Sequence, residues 1–264
     1  MNVKEFDNGP VLNPCSLKDL NYQIDPYIGC EHYCYYCYVL PQAVTDWRKE
    51  VHIHRNITDQ LLRELSSIPP QTIYMGWHTD PYQPCEAQYC QTRQVLELLL
   101  EKGFSASILT KSDLVLRDMD VLKSMKNANV SVSVAFSDND VRRLFEDNTI
   151  DTEDRVFALK ELKAMGIKTS ALICPVIPYI TDVQLLIDML GPHTEKIWIY
   201  GLSILNRSDH NWQNIESILE NHFNESKDEI EAAVFSKAHS LWESLRQELL
   251  VIQKDHQLNL SIHI

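Results

Sequence analysis

Cys30, Cys34 and Cys37, three thiols within eight residues, carry the clearest chemical signal in this chain. Spacings of four and three let one short loop wrap soft thiolate ligands around a single metal centre. Iron–sulfur clusters are normally held by four cysteines, so three leave one iron of a cubane without a protein ligand and therefore open to a small molecule. A structural zinc site reads the same loop differently: it wants four closed ligands, with His32 or the distant Cys15 as the fourth. Three ordinary buried cysteines are the remaining reading. Spacing alone does not choose among them.

The elements that must position this loop form a repeating pattern: a short apolar run, a polar turn, then a stretch of helical period, the signature of a parallel β/α architecture. Six such runs are legible, at 24–28, 72–77, 105–109, 130–136, 169–176 and 197–202. Their near-continuous apolar character suits strands covered by helices. Between them, helices are expected over 92–102 and 152–165, closed by Gly103 and Gly166 in C-terminal left-handed caps. Beyond 203 an acidic helix-rich stretch runs from about 211 to 254, interrupted near Asn224 and Ser226. Leu258, Leu260, Ile262 and Ile264 then alternate with polar residues, the period of a last strand with one polar face. The expected division is a lead-in over 1–21, an incomplete six-stranded β/α barrel over 22–205, and a helical extension over 206–264 with a possible last strand.

A chain of 264 residues with 44% hydrophobic content can bury one core. The opening residues place charges where a secretory signal has an apolar run, and no stretch approaches a membrane span, so a cytoplasmic protein without a membrane partner is expected. Seven cysteines, an odd number, favour reduced thiols and metal ligation over a disulfide framework. The formal charge of −13 repels phosphates on average and disfavours nucleic acid as a partner.

Cys30-x3-Cys34-x2-Cys37, with Tyr36 just before the third cysteine, resembles the signature of the radical S-adenosylmethionine superfamily. The run from Asp25 to Tyr38 is similar to its spore photoproduct lyase-like branch in particular. Downstream, Thr79-Asp-Pro-Tyr-Gln-Pro84 with Glu86 is similar to that branch's second-strand motif, and Leu109-Thr-Lys-Ser112 resembles its third. Ser131-Val-Ser133 is similar to its fourth, and Glu146, Arg155 and the run Ile173 to Asp182 follow in order. The likeness covers about 24–182.

The resemblance implies a 4Fe–4S cluster on Cys30, Cys34 and Cys37, with S-adenosylmethionine chelating the open iron and being cleaved reductively to a 5′-deoxyadenosyl radical. That radical would abstract hydrogen from a substrate, in a lyase-like or other carbon-centred rearrangement. It implies Tyr36 beside the adenine, and Thr79, Asp80, Lys111, Ser133 and Arg155 as polar contacts to the cofactor. A one-electron reductant of flavodoxin or ferredoxin type is the implied partner, and oxygen sensitivity is expected. Tyr38 matches a tyrosine of a hydrogen-transfer relay in the lyase. Where the lyase has a hydrogen-donating cysteine, two residues before Thr79, this chain has Trp77, so Cys85 and Cys90 become the candidate thiol donors, with Cys15 and Cys174 read as isolated or packed. Tyr33 and Tyr179 stand where the family usually has glycine. The contrasting readings are a zinc-binding structural module and an iron–sulfur electron carrier without the cofactor cradle.

Overall fold

Successive side chains of a strand point to opposite faces, so each apolar run divides its residues between two surfaces. The computed structural model describes residues 1–6 and 9–264. Its strands, in chain order, are β1 (Asn2–Phe6), β2 (Leu12–Pro14), β3 (Tyr22–Ile24), β4 (Tyr27–Ile28), β5 (Glu50–His54), β6 (Thr72–Met75), β7 (Ser105–Thr110), β8 (Asn129–Ser133), β9 (Lys168–Val176), β10 (Lys196–Gly201) and β11 (Leu260–His263). The main sheet has the order β11-β10-β9-β8-β7-β6-β3-β2. Every neighbouring pair in it is parallel except β2–β3. It is a parallel α/β sheet left open, an incomplete barrel of the TIM type, as the six runs predict. β11, from the C-terminal stretch, pairs with β10 and adds a seventh parallel strand.

Residues of one parity carry the core. Ile73 and Met75, Ala106 and Ile108, Val130 and Val132, Ala171 and Ile173, and Ile197 and Ile199 pack with Leu96, Leu99, Leu159, Leu162 and Leu186 of the covering helices. Trp242, Leu249 and Leu260 of the C-terminal stretch join the same cluster. The expected helices lie at Gln91–Glu101 and Thr152–Ala164, followed by Gly103 at φ +76° and Gly166 at φ +78°. The acidic stretch forms helices His210–His222, Lys227–Val234 and Ser240–Asp255, with a 3-10 turn at Asn224–Ser226.

The first run departs from expectation. β3 ends at Ile24, and Tyr27–Ile28 belongs to a separate three-stranded sheet of order β1-β5-β4. Pro26 lacks the N–H that a continuing strand needs, and the Asp25 side chain is used by another loop, so the chain turns there.

Gly76 follows β6 at φ +105°, and a Cβ built on it would lie 2.4 Å from the Leu109 carbonyl oxygen. Both the backbone angle and the contact with a main-chain atom exclude a side chain. Gly76→Ala is expected to cost at least about 2 kcal/mol, read as a lower urea midpoint with an unchanged slope.

Candidate active site

In parallel β/α folds the loops after the C-terminal ends of strands converge, and here they bring together residues more than a hundred positions apart. The cysteine loop follows β3 and β4. Cys30 and Cys34 are buried and Cys37 partly so. Burial pushes the Cys30 thiol up to about 12, with Asp80 adding to it, and raises Cys34 and Cys37 as well. Cys34 lies within electrostatic reach of both Cys30 and Cys37. Tyr33 takes φ +40° in this loop, under the Arg48 guanidinium at 4.3 Å, so the glycine-type backbone is kept with a tyrosine packed locally. Tyr179 likewise takes φ +62° but is exposed.

Among the described residues no three His, Cys, Asp or Glu side chains converge closely enough to hold one metal ion. A cubane asks for less, because its three thiolates bind three different irons. His32 faces away from such a set: Nδ1 lies 2.8 Å from the Asn148 carbonyl oxygen, and the buried Nε2, which makes no hydrogen bond, stands 3.3 Å from Asp80 Oδ2. The donor set therefore fits a three-thiolate cluster better than a zinc site completed by His32.

Asp80 anchors the loop after β6. Oδ1 accepts hydrogen bonds from Thr110 Oγ1 at 2.7 Å and the Tyr82 amide at 2.8 Å, and Oδ2 accepts from the Lys111 amide at 2.7 Å. Burial works to raise its carboxyl, but His32, Thr110 and the Lys111 amide hold it below the usual range. Thr79 Oγ1 donates to the Gly29 carbonyl at 2.7 Å and accepts from Gln83 Nε2 at 2.8 Å. Both side chains thus shape the cradle, spending their polar atoms on neighbouring protein groups. Lys111 extends from the end of β7, its Nζ donating to Ser133 Oγ at 2.7 Å and standing 5.6 Å from the Tyr36 ring centroid.

Arg155 is buried rather than a surface helix charge, and its carboxylate is Glu146. Its Nη1 also donates to the Ser133 carbonyl at 3.0 Å. Glu146 accepts from the Tyr36 hydroxyl and Arg155 and, at 2.7 Å, from Thr149 Oγ1, with Lys111 Nζ 3.9 Å away. Burial alone would raise its carboxyl, yet Arg155, then Lys111, hold it far below the carboxylate range. The Glu146 main chain also forms an isolated antiparallel bridge with that of Cys34, which ties the segment carrying this carboxylate to the cysteine loop. Sequence reasoning placed Glu146 in a motif without recognising it as the centre of the site.

Asp25 is a second residue that reasoning passed over. Its Oδ1 accepts from the amides of Trp77 at 3.0 Å, His78 at 2.9 Å and Thr79 at 3.4 Å, while Oδ2 lies 2.9 Å from His78 Nδ1. One carboxylate thereby holds the second-strand motif. Asp25→Ala is expected to cost about 2–3 kcal/mol and to speed amide exchange across 77–79, with Asp25→Asn milder because it keeps one acceptor. Hydrogen-exchange mass spectrometry reads both.

Glu86 begins the short helix Glu86–Tyr89 and is fully buried, bonded to the Tyr27 hydroxyl, the Thr92 amide and Arg117. Cys85 packs with Tyr27, Val51 and Ile53, and Cys90 sits at φ +52° with its sulfur 3.7 Å from Arg117 Nη1. Neither belongs to a strand of the sheet. Cys174, read as isolated or packed, is partly buried on β9, within electrostatic reach of Lys111 and Cys37. Tyr38 is 48% exposed and donates its hydroxyl to the Trp77 carbonyl.

The comparisons with known proteins agree with this geometry. The Radical SAM superfamily model matches residues 24–189. An uncharacterized protein of Methanocaldococcus jannaschii is 32% identical over 197 residues, covering 73% of this chain and 74% of its own. A radical SAM Nα-GlyT isomerase of Pseudomonas phage M6 is 28% identical over 175 residues, 63% of this chain but only 36% of that protein. Among solved structures, a spore photoproduct lyase variant with bound S-adenosylmethionine and dinucleoside spore photoproduct aligns at a TM-score of 0.59. That alignment has 14% identity and covers 83% of this chain and 66% of the lyase, so it speaks to the fold. No helix among the described residues is long and apolar enough to cross a membrane. Members of the matched family bind a 4Fe–4S cluster and S-adenosylmethionine, and with the family match spanning most of the sheet, this chain belongs to the radical S-adenosylmethionine superfamily.

Proposed function

We propose that this chain holds a 4Fe–4S cluster on Cys30, Cys34 and Cys37 and cleaves S-adenosylmethionine reductively, directing the product radical at a substrate on the concave face of the sheet. The observation that carries this reading is the convergence of the three-thiol loop with Lys111, Ser133 and the Glu146–Arg155 pair at the ends of β7 and β8. The chemistry supplied by the bound cofactors is one-electron cleavage of the sulfonium followed by hydrogen abstraction. The protein's part is to orient and to exclude water. Tyr36 and Lys111 would flank the cofactor, with Ser133 fixing the Lys111 ammonium. Thr79, Asp80 and Arg155 act one step back, by holding the backbone and Glu146.

The reaction is taken to be a rearrangement of lyase or isomerase type, in keeping with the named relatives. A one-electron reductant is the required partner. A charge of −13 argues against a polynucleotide partner bound through its phosphates.

The test is anaerobic reconstitution with iron and sulfide, followed by metal analysis, visible absorbance, and chromatography after adding dithionite and S-adenosylmethionine. A brown protein with about four irons per chain that forms 5′-deoxyadenosine is expected. Zinc-loaded protein that takes up no cluster and releases no 5′-deoxyadenosine would falsify the reading.

A further inference from the structure

On the side away from the cysteine loop, the small sheet ends at a cavity that the reaction above does not use. β4 and β5 are antiparallel with Ile28 opposite His52, so the chain leaves β4 toward Glu50 on its way to Cys30. β5 leads the opposite way, through His54, into the helix Ile57–Leu65. There Phe6, His54, Arg55, Asn56, Gln60 and Arg63 line a cavity of about 250 Å³. Two of these side chains are arginines and none is a carboxylate, in a chain with a net charge of −13.

Two independent features of this cavity ask for a ligand. The first is an uncapped helix start: the Asn56 side chain makes no capping bond, and the amides of Ile57, Thr58 and Asp59 have no partner among the described residues. Those amides carry the positive end of the helix dipole. The second is His54, only 7% exposed, whose main-chain N–H is pinned to Gln91 Oε1 at 3.1 Å. Neither of its ring nitrogens has a hydrogen-bond partner among the described residues, and neither is sealed off from all contact. The ring packs on Phe6 with centroids 4.0 Å apart, and both residues line the cavity, so the little surface the imidazole keeps opens into it. Burial pushes His54 down to about 4, which leaves a neutral ring with one N–H to donate. A donor so placed without an acceptor is costly.

The charges around the cavity fix the sign of that ligand. Arg55 stands at the rim, held by Glu5 through Nε to Oε2 at 2.9 Å. Arg63 makes no hydrogen bond or ion pair among the described residues. Helical side chains lean toward the N-terminus of their helix, so Arg63 reaches back past Gln60 toward the uncapped turn. The neighbouring carboxylates are spent or set aside. Glu64 accepts from the Val11 and Leu12 amides at 3.1 and 2.7 Å, Glu5 holds Arg55, and Asp59 of the first turn does not line the cavity. Glu5 and Asp59 also interrupt any longer cationic track, so the site suits one anionic group rather than a polyanion.

We infer that this cavity binds a single phosphate group, free or as a small phosphate ester, at a site separate from the cysteine loop. The open amides of Ile57–Asp59 and the guanidinium of Arg63 hold the phosphate oxygens, Arg55 closes the rim, and the His54 N–H donates from below. Phe6 supplies one apolar wall, against which the carbon part of an ester would rest. A cavity of about 250 Å³ admits a small molecule and no more.

The probes are inorganic phosphate and phenyl phosphate, titrated calorimetrically into the full chain at an ionic strength held constant with chloride. Saturable one-to-one binding is expected, with slower amide exchange at 57–59 in the bound protein. Arg63→Gln, a change at an exposed position, should weaken it about tenfold. Asn56→Asp places a carboxylate on the same open amides, so it should displace phosphate while raising the melting temperature. Binding lost from a protein that has become more stable cannot be put down to misfolding. Tighter binding of phenyl phosphate assigns the site to an ester resting on Phe6, and equal or tighter binding of inorganic phosphate assigns it to the free ion. Absence of saturable binding by either probe overturns the inference, as does binding that is unchanged in both Arg63→Gln and Asn56→Asp.

Discussion

Cys34→Ala is expected to abolish cluster retention, with iron falling from about four atoms per chain to near background and 5′-deoxyadenosine dropping at least about a hundredfold. With three protein ligands and one open iron, a cubane has no spare thiolate, so removing one leaves two corners held. The substituted chain should still fold. Cys34 lies among Tyr36, Phe136 and Phe145, and losing one sulfur atom from that contact removes far less than a large-to-small core change. Cys85→Ala and Cys174→Ala are the controls. The former thiol is packed against Tyr27, Val51 and Ile53, and the latter comes from β9 rather than the cysteine loop. Both proteins should keep their iron. Iron analysis and visible absorbance after desalting check all three, and a Cys34→Ala protein with a full, catalytically competent cluster would remove the loop from the mechanism.

The same loop shows what the sequence made legible. Three thiols at fixed short spacing must stay together whatever the fold, and the six apolar runs are long enough to announce strands by composition. Gly103 and Gly166 marked helix ends because left-handed caps favour glycine. The small sheet was not legible: β1 and β5 pair residues 48 positions apart, as Asn2 with Glu50, and the charged residues of Asn2–Phe6 mask its alternation. Glu146 and Arg155 were hidden for a different reason. A single glutamate and a single arginine are ordinarily surface residues, and only the turn between Phe145 and Thr152 folds them onto each other in the interior. The ring contacts of Trp198 and Tyr200 in β10 with His263 of β11 were readable in principle. In Ile197-Trp-Ile-Tyr the isoleucines and the rings alternate, but the run registers as continuously apolar unless the two parities are separated.

The hidden pair yields the largest stability effect. Arg155 and Glu146 are 1% and 0% exposed, so neither charge can be rehydrated when its partner goes. Removing one partner of such a pair typically costs about 3–5 kcal/mol, and Arg155→Met and Glu146→Gln are each expected near that range by urea unfolding of the cluster-free chain. Glutamine keeps hydrogen bonding to Tyr36 and Thr149, so Glu146→Gln should fall at the low end. The double variant should be less destabilised than the sum of the two, because both fully buried charges go together and only the partly exposed Lys111 ammonium is left beside them. A purely structural pair would stop there. This one also sets Lys111, whose Nζ is placed by Ser133 Oγ at 2.7 Å and Glu146 at 3.9 Å. In Arg155→Met the Glu146 carboxylate loses its stronger partner, and Lys111 becomes the cation nearest to it. The ammonium is then drawn from Ser133 toward Glu146, away from the position beside Tyr36 where it would meet the cofactor. The expected signature is weaker S-adenosylmethionine binding by reconstituted Arg155→Met at unchanged iron content, with affinity partly restored in the double variant. Unaltered binding in a protein that shows the full loss of stability would confine the pair to the fold.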